Sequence, residues 1–177
     1  MREDIVDSGV LSALFDYWDG RRGQRALPMR ADIDPVDMPK FILPHLILYD
    51  VIGQGQRFRY RLCGTEVASR FGKNPTGQFV DTATGATYGD YLQSLFDEMC
   101  REKMAVYSES TFIWRSGCDL TVRHLGLPLA DMQGAIDKIL SGVDVIGSSD
   151  RARKGFQPLM TVESIREIRR QRHRPPG

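Results

Sequence analysis

The sequence predicts an α+β fold in which a five-stranded antiparallel sheet carries helices on one face. Apolar and charged residues alternate over residues 57–62, and a period of two returns over residues 105–114. Such alternation is typical of strands with one dry face and one solvated face. Helical spacing of apolar residues over 88–99 predicts a helix on the sheet. The same spacing over 11–18 predicts an N-terminal amphipathic helix, and a short basic helix is expected at the C-terminal end.

The N-terminal helix is expected to begin behind Asp7 or Ser8, either of which can cap it, and to end near Gly20. An apolar stripe of this width has to be covered by other apolar surface. The sequence leaves two alternatives open, namely the domain that follows or the same helix of a second subunit. We expect a homodimer through this stripe, which consists of Leu11, Leu14, Phe15 and Trp18.

The sheet itself is predicted strand by strand. An apolar run over residues 46–52 predicts a buried strand, which a tight hairpin joins to the alternating strand that begins at residue 57. A long helix is expected over residues 87–103. Three further strands joined by hairpins must form an antiparallel meander. They are predicted over residues 105–114, 119–130 and 138–146.

Three segments are expected along the chain. These are an N-terminal helix and linker, the sheet domain and a basic tail, at residues 1–40, 41–147 and 148–177. In the tail, the spacing of Val162, Ile165 and Ile168 predicts a helix over residues 161–174 with arginines around it. A solvated face is the commoner explanation of such a charge run, and contact with RNA, an acidic partner or a lipid headgroup is the alternative.

The bulk composition is that of an ordinary globular protein. The 177 residues are 41% hydrophobic and 27% charged, with a formal net charge of +1. This balance gives no reason to expect nucleic acid or an anionic membrane as the partner of the whole chain. Cys63, Cys100 and Cys118 form no Cys-x-x-Cys pair, which favours a reducing compartment and argues against a zinc site. Since no signal peptide or bilayer-spanning stretch is recognisable, we expect a cytoplasmic protein without a membrane span.

Four segments taken together resemble a known family. A Tyr-Trp pair, an Arg-x-Asp-Ile-Asp-Pro segment, a Leu-Pro pair and a Phe-Arg-Tyr-Arg-Leu-x-Gly-Thr strand occur at residues 17–18, 30–35, 43–44 and 58–65. With these segments, residues 11–146 are similar to short single-domain bacterial PAS-like proteins of the alphaproteobacterial type. The resemblance implies the PAS arrangement for the predicted sheet and a sensory or regulatory role.

The resemblance also implies a ligand pocket between the concave sheet face and the helices. The candidate pocket walls are Phe58, Tyr60, Leu62, Tyr91, Leu95, Ser110, Phe112, Trp114, Val122 and His124. Ser108 and Cys63 are further polar candidates, because a few polar atoms decide specificity in a mostly apolar pocket. The same side chains could equally fill a dry core. The sequence does not identify the ligand.

Two cofactors known from this fold can be tested against the sequence. A flavin that forms a photoadduct needs a cysteine in an Asn-Cys-Arg-Phe motif, whereas this chain has Lys-Asn-Pro-Thr-Gly at residues 73–77. A haem needs an axial ligand, and the predicted long helix contains no histidine. His45 and His124 remain as fallback ligands, although a core or edge histidine is the commoner role for each. We therefore expect neither cofactor and no metal.

The first functional hypothesis is a non-enzymatic sensor that binds a small molecule and signals through a protein partner. The alternative is a ligand-free dimeric adaptor, whose contact surfaces would be the N-terminal stripe and the basic tail. The adaptor hypothesis explains why the sequence contains no kinase, cyclase or helix-turn-helix segment, since a lone sensor must pass its signal to another chain. The presence of a pocket would separate the two.

A small hydrolase-like enzyme is the third hypothesis. Cys118-Asp119 with His124, or a serine with His124, supplies the residue types of a nucleophile and a base. No Gly-x-Ser-x-Gly motif, metal pair or phosphate loop accompanies them. Residue types alone do not make a catalytic arrangement, so we expect no enzymatic activity.

Overall fold

A six-stranded antiparallel sheet forms the centre of the computed structural model, which describes residues 5, 7–71, 73–114, 119–146 and 162–174. The strand order is β2-β1-β5-β4-β3-β6. The strands are β1 Leu46–Ile52, β2 Arg57–Cys63, β3 Ala105–Trp114, β4 Asp119–Ala130, β5 Ile136–Ile146 and β6 Val162–His173. The five strands predicted from the sequence are confirmed, and β6 is an addition.

Among the described residues, four α-helices with defined bounds accompany the sheet. They are α1 Gly9–Arg21, α2 Thr65–Phe71, α3 Val80–Ala83 and α4 Ala86–Glu102. Short 3-10 helices occur at Arg30–Asp32, Lys40–His45 and Gly53–Gly55. The predicted cap of α1 is confirmed, because the Ser8 hydroxyl accepts a hydrogen bond from the Leu11 amide at 3.2 Å. Within the part of the chain that the structure describes, no helix is long and apolar enough to cross a lipid bilayer.

Helices cover both faces of the sheet at its central strands. In the β4/β5 ladder, Gly142 lies opposite Leu125, and Gly126 lies opposite Ser141. A Cβ atom at Gly142 would approach the side chains of Leu11 and Leu14 in α1, and one at Gly126 would approach Met99 in α4. Since neighbouring positions on a strand point to opposite faces, α1 and α4 lie on opposite sides. We call the α4 side the inner face and the α1 side the outer face.

The apolar stripe of α1 is buried within its own chain. Leu11, Leu14 and Trp18 have no exposed surface, and Phe15 is 4% exposed. The Trp18 indole also donates a hydrogen bond to the Pro128 carbonyl of β4 at 3.0 Å. The expectation that these four side chains form a homodimer interface is therefore wrong, because the sheet leaves none of their apolar surface for a second subunit. A homodimer through another surface stays a prediction.

The expected basic helix over residues 161–174 is wrong, because this segment is strand β6. It pairs antiparallel with β3 along residues 105–114. Arginines on both faces of β6 hold it in place: Arg170 and Arg172 bind Glu98 of α4, and Arg169 binds Glu109 of β3. Pairing with β3 outweighs the helical preference of a segment rich in Arg and Glu. Val162–His173 of the basic tail is consequently part of the sheet and not a solvated helix, and residues 148–161 and 175–177 lie outside the described residues.

Replacing Leu14 by Ala should lower the free energy of unfolding by about 2 to 5 kcal/mol, as expected for a fully buried leucine. Urea denaturation would measure the loss. Val36, which is 74% exposed, provides the control, since Val36→Ala should cost about 0.5 kcal/mol or less. If the stripe lay between subunits, the difference in unfolding free energy between Leu14→Ala and the parent would change with protein concentration. We expect this difference to be independent of concentration.

Glu98 is the buried anchor of β6, with only 5% of its surface exposed. Burial disfavours its carboxylate, but hydrogen bonds from Arg172 and Arg170 outweigh this effect and hold the pKa of Glu98 below the ordinary 4.5. A lowered pKa in the folded state means that the stabilisation is complete well above pH 4.5 and is lost as the pH falls through the folded-state value.

We expect Glu98→Gln to be less stable than the parent at neutral pH by about 1 to 3 kcal/mol, because charge-assisted hydrogen bonds are lost. The difference in stability between Glu98→Gln and the parent should become smaller below pH 4.5, because the parent carboxylate becomes protonated there. Hydrogen exchange in β6 should speed up in the variant. Asp97→Asn, at an exposed position of the same helix where the carboxylate accepts a hydrogen bond from Gln93, is the control and should have little effect. Equal protection of β6 in Glu98→Gln and the parent would contradict the anchoring role.

Candidate functional site

The inner face of the sheet carries a row of buried polar side chains. Ser108 and Ser110 come from β3, His124 from β4 and Ser141 from β5, and each is at most 2% exposed. Ser108 lies directly opposite His124 in the β3/β4 ladder. We call these four residues the polar strip. Their common face follows from the period-two geometry of antiparallel strands in register.

Two members of the polar strip are hydrogen-bonded to helix α4. The Tyr91 hydroxyl lies 2.5 Å from the Ser108 hydroxyl, and Ser110 donates to Tyr91 at 3.5 Å. The other two members have no such partner: Nε2 of His124 and Oγ of Ser141 are buried and lack a hydrogen bond within the described residues. Leaving a buried polar atom unpaired costs about 1 to 3 kcal/mol. These two atoms, and the Tyr49 hydroxyl of β1, which is also buried without a hydrogen bond among the described residues, are places where a bound molecule could gain hydrogen bonds.

Aromatic side chains form a wall beside the polar strip. The rings of Tyr49 and Tyr60 lie 4.9 Å apart, and Phe96 of α4 lies 4.6 Å from Tyr49 and 4.8 Å from Phe58. The His124 ring lies 6.4 Å from Phe96. These tilted and edge-to-face arrangements are the favourable ones for aromatic pairs. The wall gives the inner face a rigid apolar surface next to its few polar atoms.

The inner face is electrically neutral around His124. Burial lowers the pKa of His124 to about 4, so the imidazole is uncharged at neutral pH and offers one donor and one acceptor. Burial raises the pKa of Tyr91 and raises that of Cys63 to about 12, so both keep their protons. A thiol with such a pKa is a poor nucleophile. The arrangement suits hydrogen bonding to a neutral molecule.

A cleft opens beside the polar strip, between β5 and the start of the small helix α2. Its volume is ≈ 100 Å³, and it is lined by His45, Glu66, Val67, Val143, Asp144 and Val145. Val143 is the cross-strand partner of His124, so the cleft adjoins the strip directly. A volume of this size corresponds to about three water molecules and is below the roughly 300 to 1,000 Å³ of pockets for drug-sized ligands.

The chain was compared with known proteins. A family model described as "PAS domain" matches residues 6–143. The chain belongs to the PAS domain family. Members of this family are generally sensory, non-enzymatic modules. The match does not distinguish the alphaproteobacterial type within the family. No curated protein matches the chain.

Solved structures that are similar to this PAS chain share little sequence with it. The VqmA dimer of Vibrio cholerae is 12% identical, with 62% of this chain and 48% of that chain covered and a TM-score of 0.46. The PAS domain of the fruit-fly ELK potassium channel is 12% identical, with 59% and 88% covered and a TM-score of 0.43. The PAS domain of Bordetella pertussis BvgS is 20% identical, with 64% and 82% covered and a TM-score of 0.40. The chain spans about half the length of the VqmA chains it matches.

Most of the residues predicted to line a pocket lie on or against the inner face of the PAS sheet. These are Phe58, Tyr60, Tyr91, Leu95, Ser110, Phe112, Val122 and His124, and all but Tyr91 are buried. That they line a ligand site stays a prediction. The side chain of Trp114 lies outside the described residues, as does Cys118. Ser141 was not among the predicted residues, although in the predicted strand 138–146 it alternates with Ile139, Val143 and Val145 and so shares their face.

Among the candidate wall residues whose side chains the structure describes, Leu62 is the one that does not lie on the inner side. In the β1/β2 ladder, Tyr49 pairs with Tyr60 and Leu48 pairs with Leu62, so Arg61 is an extra residue. This β-bulge interrupts the strict alternation after Tyr60. Leu62 therefore lies on the outer side with Leu48 and is 47% exposed.

Lowering the pH should destabilise the protein through His124. Because the pKa of His124 is lowered from 6.5 to about 4 in the folded state, the unfolded chain binds a proton first as the pH falls. The stability present above pH 6.5 is thus lost progressively between 6.5 and about 4. From about pH 7.5 to about pH 5.5 the parent should lose about 1 kcal/mol of unfolding free energy from this group.

His124→Gln should remove this contribution to the pH dependence. The unfolding free energy of the parent should therefore fall more steeply than that of His124→Gln as the pH is lowered. Urea denaturation at several pH values measures the difference. The pKa of His173 is also lowered by burial, but His173 is present in both proteins and cancels in the comparison. Parallel pH dependences in His124→Gln and the parent would show that His124 titrates normally in the folded state.

Proposed function

We propose that the chain is a sensory PAS module that binds a small uncharged molecule at the polar strip and signals through a protein partner in the cytoplasm. The observation that carries this proposal is the pair of buried, unpartnered atoms, Nε2 of His124 and Oγ of Ser141. Native interiors rarely leave such atoms without a hydrogen bond. A ligand with two hydrogen-bonding groups would satisfy both.

The surroundings of the strip support a neutral ligand. The strip itself consists of a neutral imidazole and three hydroxyl groups, so an ionised ligand would lose its hydration without gaining an opposite charge there. The aromatic wall of Tyr49, Phe58, Tyr60 and Phe96 offers apolar and stacking contacts to the remainder of the molecule. The adjoining cleft at Val67 and Val143 provides a route of entry. A ligand larger than this cleft requires α2 to move away from β5.

Helix α4 supports a route for the signal. Its Tyr91 is hydrogen-bonded to the polar strip at Ser108, and about two turns further along the same helix Glu98 binds the arginines of β6. A ligand that displaces the Tyr91 hydroxyl would shift α4 and with it the Glu98 contacts. The change would then reach β6, at the edge of the sheet. A partner protein that contacts β6 could detect this change.

The proposal is tested by native mass spectrometry of the protein as purified, compared with its denatured mass. We expect a native mass that exceeds an integer multiple of the chain mass by a small-molecule increment. Two variants with near-isosteric apolar replacements, His124→Leu and Ser141→Ala, should lose the increment because they remove the hydrogen-bonding groups. Leu62→Ala, on the outer side of the sheet, is the matched control and should retain it.

Retention of the increment in both His124→Leu and Ser141→Ala would place the ligand elsewhere and contradict the proposed site. A native mass without any increment, together with unchanged amide chemical shifts after incubation with a small-molecule extract of cells, would contradict ligand binding. That pair of results would favour the ligand-free adaptor.

A further inference from the structure

A second groove lies at the β1/β2 end of the sheet, away from the polar strip. Its volume is ≈ 570 Å³, and we call it the arginine groove. It is lined by Arg30, Leu48, Asp50, Val51, Ile52, Arg59, Arg61, Asp137 and Lys138. Two segments singled out in the sequence meet here, since Arg30 begins the segment 30–35 and Arg59 and Arg61 belong to the strand segment 58–65. The proposed sensory function gives these arginines no role.

The two carboxylates of the groove form ion pairs with two of its four cations, namely Arg59 and Lys138. Asp50 is 6% exposed and accepts hydrogen bonds from the Arg59 guanidinium, with a closest distance of 2.7 Å. Lys138 binds Asp137 at 2.8 Å and lies 3.7 Å from Asp50. These pairs fix Arg59 and Lys138 in place. They leave the charges of Arg30 and Arg61 uncompensated by any carboxylate of the groove.

The two remaining arginines, Arg30 and Arg61, have N–H groups that are available to donate hydrogen bonds to a ligand. Arg61 is exposed and makes no hydrogen bond or ion pair with another residue in the described part of the chain. Arg30 donates through Nη1 to the Ile33 carbonyl at 2.6 Å, which orients the guanidinium and leaves further N–H groups available. The buried Oδ1 of Asp137 lacks a hydrogen-bond partner among the described residues. It could accept from a hydroxyl or amine of the same bound molecule.

We propose that the arginine groove binds a small organic anion, a molecule with a carboxylate or phosphate group next to an apolar part. The planar fork of arginine matches both anionic groups with two parallel hydrogen bonds. The side chains of Leu48 and Ile52, which share one face of β1 with Asp50, supply the apolar contacts. The volume falls within the roughly 300 to 1,000 Å³ of small-molecule sites. This ligand differs in charge from the one proposed for the polar strip, so the chain has two sites of different chemistry.

Isothermal titration calorimetry of the full chain tests the proposal with two probes, phenyl phosphate and benzoate, at constant ionic strength. Benzyl alcohol, which has the ring without the charge, is the ligand control. We expect saturable binding of at least one anionic probe and none of benzyl alcohol. The probe that binds more tightly identifies the phosphate or the carboxylate as the recognised group.

Arg61→Gln and Arg30→Gln should each weaken binding of that probe about tenfold or more, because each removes charge-assisted hydrogen bonds. Arg101→Gln removes an exposed arginine of α4 and should leave the affinity unchanged. Arg61 is on the surface, so its variant tests the groove even if Arg30→Gln fails to fold. His124→Leu should bind the anion as the parent does, which separates this proposal from the one for the polar strip. Absence of saturable binding of both anions, or parental affinity in Arg61→Gln, would overturn the proposal.

Discussion

The close approach of two helices to opposite faces of the central β4/β5 ladder is the constraint on which the fold depends. Gly142 makes room for Leu11 and Leu14 of α1, and Gly126 makes room for Met99 of α4. A side chain at either glycine would push a helix away from the sheet, and tightly packed interiors tolerate such a change poorly. Both glycines lie on the central strands. They allow helices to cover both faces of the sheet there, and the cover by α4 is what buries the polar strip.

Local pattern was enough to predict the elements whose partners are near in sequence. The hairpin of β1 and β2 and the meander of β3, β4 and β5 follow from alternation and turn residues. Two features were not predictable in this way. The bulge at Arg61 results from the pairing of β2 with Leu48 and Tyr49 of β1. Strand β6 forms because it pairs with β3, which is far away in the sequence. The arginines of β6 fit a basic helix equally well until the positions of Glu98 and Glu109 are known.

In the candidate site, too, some features could be predicted from local pattern and others depend on tertiary contacts. Alternation assigned Ser108, Ser110 and His124 to one face, and the ladder registers place them there. Tyr49 belongs to a continuous apolar run, where the sequence cannot tell the inner side from the outer. Nε2 of His124 and Oγ of Ser141 lack partners because no described donor or acceptor of the neighbouring elements lies within reach. Such information is purely tertiary, so the sequence could name the residue types but not which of their polar atoms lack a hydrogen bond.

The two proposed sites are consistent with one electrostatic argument. The inner face is enclosed by helices and aromatic rings, so a charged group there would lose its hydration, and the lowered pKa of His124 is the direct consequence. The arginine groove is open to water, and its buried carboxylate, Asp50, is paired with Arg59. The two proposals accordingly assign a neutral ligand to the interior and an anion to the water-exposed groove. Since β1 contributes Tyr49 to the inner wall and Asp50 to the groove, adjacent residues of one strand lie at the two proposed sites, on opposite faces of the sheet.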